Sequence, residues 1–381
     1  MPELPRVFVE RTRTDREPKR IEETPYSFLN RSARPGDEKT RSLIETWVAD
    51  LSDAEWVFLC PRFKSRSARS YIDFTTAFQE LFLHQLLLRL GCEVACQPPV
   101  DGRVEVPDFA VSQSNCEKFL LEACTSFKDP NGPVRDACNE VARDFLGRLD
   151  IGDVRLSIRE LTPGTGSLPQ NALKRHILKA LDCDSNELKS EIPIPDFTQH
   201  GWLIRLMGHK VESDGTSGSI LCEVWGRTWS GPDFSLKDRL KEKGKRYGKD
   251  LPVPLVVALN SVNTSHSEVD FYDTLFGAPK DSYIDGQPPN NRLSRGYWGA
   301  AENPKHQQVS AVLFTLNVRP ETVLMGRVQP CFYLNPWATH SYEGILTTLR
   351  TARLVDGAIR FSGGTSLNKI LNVAVEPSDL W

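Results

Sequence analysis

The run PVPLVVALN at 252–260 constrains this chain most. It is apolar at consecutive positions and shows no alternation. A strand with one wet face alternates, whereas a continuous apolar run reads as a strand buried on both faces, as in a sheet covered by helices. A second such run, Gln308 to Asn317, follows it, and Val328 to Leu334 reads as a further strand.

The other elements follow from period and punctuation. Residues 1 to about 40 are rich in Arg, Glu, Pro and Ser and read as a mostly extended, weakly ordered arm. Leu43, Ile44, Trp47, Val48, Leu51 and Trp56 then space as a short amphipathic helix. The strongest helix is Tyr71 to Leu90, ended by Gly91. Strands are expected at Cys92 to Gln97, at 104–111 (VEVPDFAV) and at 118–125 (KFLLEACT). Val134 to Leu149 reads as a helix, Val154 to Ile158 as a strand and Gln170 to Leu181 as a helix. Gly201 to Lys210 and Ser219 to Trp225 read as a hairpin. The segment 235–248, SLKDRLKEKGKRYG, is a helix with seven cations from Lys237 to Lys249. Residues 261–306, rich in Asn, Ser, Gly and Pro, read as an irregular insertion.

Composition narrows the function classes. With 381 residues, 39% apolar and 25% charged, the chain has enough material for a substantial core, about two domains or one elaborated domain. The 47 Lys+Arg against 50 Asp+Glu give a net charge of −3, which excludes a strongly basic coat protein but permits a local basic groove. No apolar run approaches the roughly 18 residues of a membrane span, and the first residues lack the apolar core of a signal peptide. The nine cysteines are scattered and odd in number, so reduced thiols in the cytoplasm are expected.

The chemistry lies in one hairpin. Asp108 and Glu122 are each seven residues from Asn115. A turn centred there sets them opposite each other on one face, with Cβ atoms about 4.5–5.5 Å apart. Phe109, Val111, Phe119 and Leu121 fall on the other face as a core, so the acids are expected to look toward a cleft or solvent. Facing carboxylates repel, and a cation between them removes the repulsion; two hard oxygens with room for water and a substrate phosphate suit Mg²⁺. In metal-free buffer, removing one of the pair should then raise stability. Without a cation, the two are solvent-facing acids on an amphipathic hairpin.

The order of these elements resembles the PD-(D/E)XK nuclease superfamily, the restriction-endonuclease-like fold. Glu80 matches the family's helix acid, Pro107-Asp108 its first half-motif and Glu122-Ala123-Cys124 its second, over roughly 71–125, with the resemblance resuming at about 235–260. Cys124 stands where the pattern has Lys. Some members carry that lysine on a neighbouring element, and Lys243 is the candidate here, four residues from Tyr247 and on its helix face. Lys128 lies on a Lys-Asp-Pro-Asn-Gly turn, a poorer support. Leu275-Phe276-Gly277, Tyr297-Trp298-Gly299 and Asn335-Pro336 also resemble uncharacterised bacterial nuclease-like proteins.

The resemblance implies a mixed central sheet flanked by helices, with an arm at 1–60 and a nuclease-like domain at 61–381 interrupted at about 130–234 and 261–306. It implies a Mg²⁺- or Mn²⁺-dependent endonuclease acting on DNA, RNA being left open, in defence or repair. Asp108, Glu122 and Glu80 would hold the metal and Lys243 would stabilise the transition state. Arg62, Lys64 and Arg66, from the basic stretch 61–69, and Lys241, Lys245 and Arg246 would contact phosphates. The rival is a fold that has lost catalysis and serves as a nucleic-acid-binding or protein-interaction module. A homodimer or partner protein is compatible with either.

Other chemistries are weaker. Cys92, Cys96, Cys116 and Cys124 form no CxxC pair for zinc. No Gly-X-Ser-X-Gly marks a nucleophile turn, and the loop TPGTGSLPQ is not followed by Gly-Lys-Ser/Thr. The histidines stand in unrelated contexts, which reads as structural or surface use. Trp225 and Trp229 read as core packing ahead of a base-stacking platform.

Overall fold

The computed structural model describes residues 6–17, 19–20, 23–67, 69–99, 105–113, 118–127, 141–143, 145–164, 167–183, 191–210, 220–223, 234–248, 251–262, 266–277 and 296–373. Lys128, Asn115, Cys116, Trp225, Trp229 and half of the helix expected at 134–149 lie outside them. The chain divides into two compact units, one of 1–15, 25–128 and 230–381, the other of 16–24 and 129–229.

In chain order the elements are α1 (Pro25–Arg31), α2 (Pro35–Val48), α3 (Asp53–Phe63), α4 (Ser70–Arg89), β1 (Glu93–Cys96), β2 (Phe109–Ser112) and β3 (Lys118–Ser126). Then come β4 (Val154–Thr162), α5 (Gln170–Cys183), β5 (Glu191–Gln199), β6 (Trp202–Lys210) and β7 (Ile220–Glu223). The chain continues through α6 (Phe234–Lys245), β8 (Leu255–Ser261), α7 (Glu268–Phe276), β9 (Gly299–Ala300), β10 (Asn303–Pro304) and β11 (Ala311–Leu316). It ends with α8 (Pro320–Leu324), β12 (Cys331–Leu334), β13 (Thr351–Val355), β14 (Ala358–Ser362) and α9 (Leu367–Leu371).

The first unit is mixed α/β around an eight-stranded sheet of order β1-β2-β3-β8-β11-β12-β13-β14. β1, β2 and β3 pair antiparallel, while β3, β8 and β11 are parallel. The apolar run at 252–260 takes the buried place expected of it. Val256 and Ala258 join the core under α1 to α4; Leu255, Val257 and Leu259 join a second core with Leu236 and Leu240 of α6 and Phe271 and Leu275 of α7. Helices therefore cover both faces, which is why β8 shows no polar alternation. Helix α4 has apolar contacts nearly all round, the pattern of a buried helix. Among the described residues, no helix is long and apolar enough to cross a membrane.

Three expectations are corrected. The described residues among 1–40 do not form an extended, weakly ordered arm: α1 and α2 occupy 25–48, and Val7 and Phe8 are buried in the main core, with both their backbone N–H groups donating to Glu45. Low apolar content concealed this, because the segment anchors itself through a few large side chains and a buried Arg41 that donates to the Leu29 and Ser32 carbonyls. Nor is 261–306 irregular throughout, since it contains α7 and the fully buried Tyr297 and Trp298.

The third correction falls in the second unit. It holds a four-stranded sheet of order β5-β6-β4-β7 with α5, around Leu156, Ile158, Leu173, Trp202 and Leu206. Strands β6 and β7 do not form a hairpin: β6 pairs with β5 across His200-Gly201, and β7 runs parallel to β4. Both His200 and Gly201 have positive φ, the backbone such a tight connection requires.

Candidate functional site

The β2–β3 register pairs Phe109 with Leu121, which extends to Asp108 opposite Glu122, as the residue count predicts. The surroundings differ from expectation. Asp108 stands one residue before β2, and its Oδ2 accepts the Ala123 backbone N–H at 2.7 Å, continuing the ladder where the strand gives out. Glu122 is fully buried beneath α6 and faces neither cleft nor solvent. The acid is tolerated there because three donors meet it. Lys243 Nζ donates to Oε1 at 2.6 Å, Arg246 donates to the same oxygen at 3.1 Å, and the Tyr247 hydroxyl donates to Oε2 at 2.6 Å. The shared helix face of Lys243 and Tyr247 is realised on one carboxylate.

Burial works against the Lys243 ammonium, but Glu122 and Asp108 outweigh it and hold its pKa above the ordinary lysine value. At Asp108 the balance is reversed. Burial, then Glu80, then Glu122 push its carboxyl up from 3.8 to about 7, against the opposing pull of Lys243 and the Ala123 N–H. Asp108 thus feels an acid from α4 and an acid–lysine pair beneath α6. The structure brings Glu80, Asp108, Glu122 and Lys243 into one electrostatic neighbourhood, although they come from four separate stretches of chain.

Glu80 is positioned by its neighbour Gln79. The Gln79 amide donates to the Cys124 and Ala258 carbonyls at 3.1 and 3.0 Å and accepts from Thr125, bolting α4 to β3 and β8. Arg62 grips Glu80 with two nitrogens at 2.5 and 2.9 Å and also donates to Thr76. Arg62, expected at a phosphate, is thus paired with an internal carboxylate. A basic run beside an unpaired buried acid looks like a phosphate loop until the acid's position is known.

The remaining expected phosphate contacts divide. Lys64 donates to the Arg6 carbonyl at 3.1 Å, and Arg66 is exposed. Arg246 is half occupied by Glu122, and Lys241 pairs with Asp238 at 2.9 Å. The exposed side of α6 is nevertheless positive. His306, stacked on Tyr297 at 4.1 Å, is lowered to about 4 by burial and then by Lys245, Lys241, Lys237 and Lys305.

Gly244 sets how closely α6 approaches. A Cβ there would overlap the Tyr297 hydroxyl and stand 3.0 Å from Val309 Cγ2, and that hydroxyl donates to the Leu240 carbonyl at 3.0 Å. Gly244→Ala gains up to about 1 kcal/mol of helix propensity but overpacks a rigid buried contact at about 1–3 kcal/mol. A net loss of about 1 kcal/mol is expected in urea unfolding; an unchanged midpoint would show that α6 can shift freely.

The carboxylates suit a hard cation in charge: after burial, it is Glu80 and Glu122 that raise the Asp108 pKa. They do not form a closed three-ligand cage, but Mg²⁺ needs only one or two protein carboxylates. Among the described residues, the group of three potential ligands drawn within 4.8 Å is a different one, Glu55, His84 and Cys96. The cavity beside Asp108 and Glu80 is lined by these three residues as well. Sequence spacing missed this group because its members come from α3, α4 and β1. Compared with family models, curated proteins and solved structures, the chain gives no match.

Proposed function

We propose that the chain is a divalent-metal-dependent phosphodiesterase of the PD-(D/E)XK kind, an endonuclease acting on DNA. One observation carries this: Lys243, from a helix 121 residues away, meets Glu122 beside Asp108 and supplies the cation that Cys124 does not. The mixed sheet, with an antiparallel hairpin running into parallel β8 and β11, supports the same assignment.

Asp108, with Glu80, would hold Mg²⁺ or Mn²⁺, which would supply Lewis acidity to a phosphate oxygen and acidify a water. Lys243 Nζ donates to the non-bridging oxygen on which charge grows in the transition state. Arg246 and Tyr247 hold Glu122 in place when Lys243 turns to the phosphate. Lys237, Lys241, Lys245 and Lys305 bind flanking backbone phosphates, a contribution that weakens with salt.

A second function is supported by charge balance. Glu122 is matched by Lys243 and Arg246, and Glu80 by Arg62. A network so neutralised suits a nucleic-acid-binding or protein-interaction module without catalysis. Supercoiled and linear DNA, incubated with the wild type, Asp108→Ala and Lys243→Ala in EDTA, Mg²⁺ or Mn²⁺, separate the two. The nuclease cuts only with metal and only as wild type, while Asp108→Ala still shifts DNA in a gel. DNA retention with no cutting by any form gives the binding module, and equal cutting by all forms rejects the site.

A further inference from the structure

We propose that Glu55, His84 and Cys96 bind one divalent transition-metal ion of the zinc class, one helical turn from Glu80. This does not depend on the nuclease assignment. Helices α3 and α4 pack so that two rungs connect them, Arg62 with Glu80 and Glu55 with His84. Glu80 and His84 are four apart on α4 and so share a face. Strand pairing completes the site: Cys96 lies opposite Phe109, and the Gln97 N–H donates to the Asp108 carbonyl, so Cys96 stands one rung from Asp108. The ligand atoms of Glu55, His84 and Cys96 all lie within 4.8 Å of one another.

Each of the three is available to a metal. Glu55 Oε2 is held by the Ser52 N–H and hydroxyl in a capping box, which orients the carboxylate and leaves Oε1 toward His84. His84 is only 3% exposed, yet its Nδ1 has no hydrogen-bond partner among the described residues, and its Nε2 stands 3.5 Å from Glu55 Oε1, the outer limit of a hydrogen bond. A metal beside Glu55 would be taken by Nε2, the ring nitrogen that faces Glu55 Oε1, in place of this long contact. Cys96 is a free thiol and partly accessible.

The donor set selects the ion. Thiolate with imidazole and one carboxylate suits Zn²⁺ or Co²⁺ over Mg²⁺. Binding replaces the Cys96 S–H bond with an S–metal bond and releases the proton to solvent. Three protein ligands leave a fourth position for a water in the small cavity that Asp108 and Glu80 also line. A Cys–His hydrolytic pair is the lesser use of these residues. Glu55 contacts both His84 and Cys96, so the histidine does not stand between acid and thiol. The thiol pKa is moreover raised by burial and Glu55, the reverse of an activated nucleophile.

The test uses the full chain, stripped by a chelator and titrated with Co²⁺ in excess Mg²⁺. One Co²⁺ per chain is expected, with thiolate-to-cobalt charge-transfer absorption that Zn²⁺ abolishes by displacement. Cys96→Ser should lose that absorption and Asp108→Ala should keep it, which separates this site from the carboxylate site. Glu55→Gln, which retains an acceptor for the Ser52 cap, should fold and bind Zn²⁺ more than about tenfold more weakly. Absence of the absorption in the wild type, or its survival in Cys96→Ser, would overturn the site. So would unchanged Zn²⁺ affinity in Glu55→Gln.

Discussion

Glu122→Ala lowers stability by about 3–5 kcal/mol, the largest loss expected from any single change near the site. The carboxylate is fully buried and receives Lys243, Arg246 and Tyr247. Truncation takes from a largely covered ammonium the carboxylate it is bonded to, leaving only the more distant attraction of Asp108, and removing one partner of a buried pair costs about that much. It also leaves the Tyr247 hydroxyl with the longer bond to the Val106 carbonyl, at 3.2 Å. Urea unfolding at neutral pH measures the loss. The double variant Glu122→Ala with Lys243→Ala should recover part of it, because the stranded charge is then gone. A loss below about 1 kcal/mol for the single variant would mean that Glu122 is not held in this network. This reverses, for Glu122, the gain that facing carboxylates alone imply. A cleavage defect in Glu122→Ala is therefore confounded by unfolding, which makes Asp108 and Lys243 the cleaner probes of activity.

The reversal shows where sequence reasoning stops. Residue counting about Asn115 places Asp108 opposite Glu122, because register in a hairpin is one-dimensional arithmetic. The four-residue spacing of Lys243 and Tyr247 places both on one helix face for the same reason. Neither argument says what covers the face. The apolar 252–260 run already implied a cover on both sides of β8, and extending that cover to its neighbour β3 would have buried Glu122. The pairing of Arg62 with Glu80 is illegible for a related reason: its partner is 18 residues away on another helix, and no local pattern registers a contact between helices. Glu55, His84 and Cys96 were out of reach altogether, since each comes from a different element and none stands in a motif. Tertiary packing, with no signature in spacing, decides all three.

Asp108→Asn should behave oppositely, raising stability in metal-free buffer at pH 8 by about 1–2 kcal/mol. The folded-state carboxyl is displaced from 3.8 to about 7 by burial, Glu80 and Glu122. Between those values the folded protein binds a proton that the unfolded chain has lost, so wild-type stability falls as pH rises from about 4 to 7 and the penalty is complete above 7. At about 1.4 kcal/mol per pH unit the penalty is bounded near 4 kcal/mol. Water reaching a partly exposed carboxylate reduces it. The Asn side chain keeps an acceptor for the Ala123 N–H, so the ladder contact survives while the charge goes. Unfolding midpoints of the two proteins should therefore converge near pH 4 and separate toward pH 8. Mg²⁺ should close the gap at pH 8 by stabilising the wild type alone, since a ligand that binds only the folded carboxylate stabilises by mass action. A constant difference at every pH would remove Asp108 as the uncompensated charge. A gap that Mg²⁺ leaves unchanged would place any metal elsewhere, with the Glu55, His84 and Cys96 group next in line.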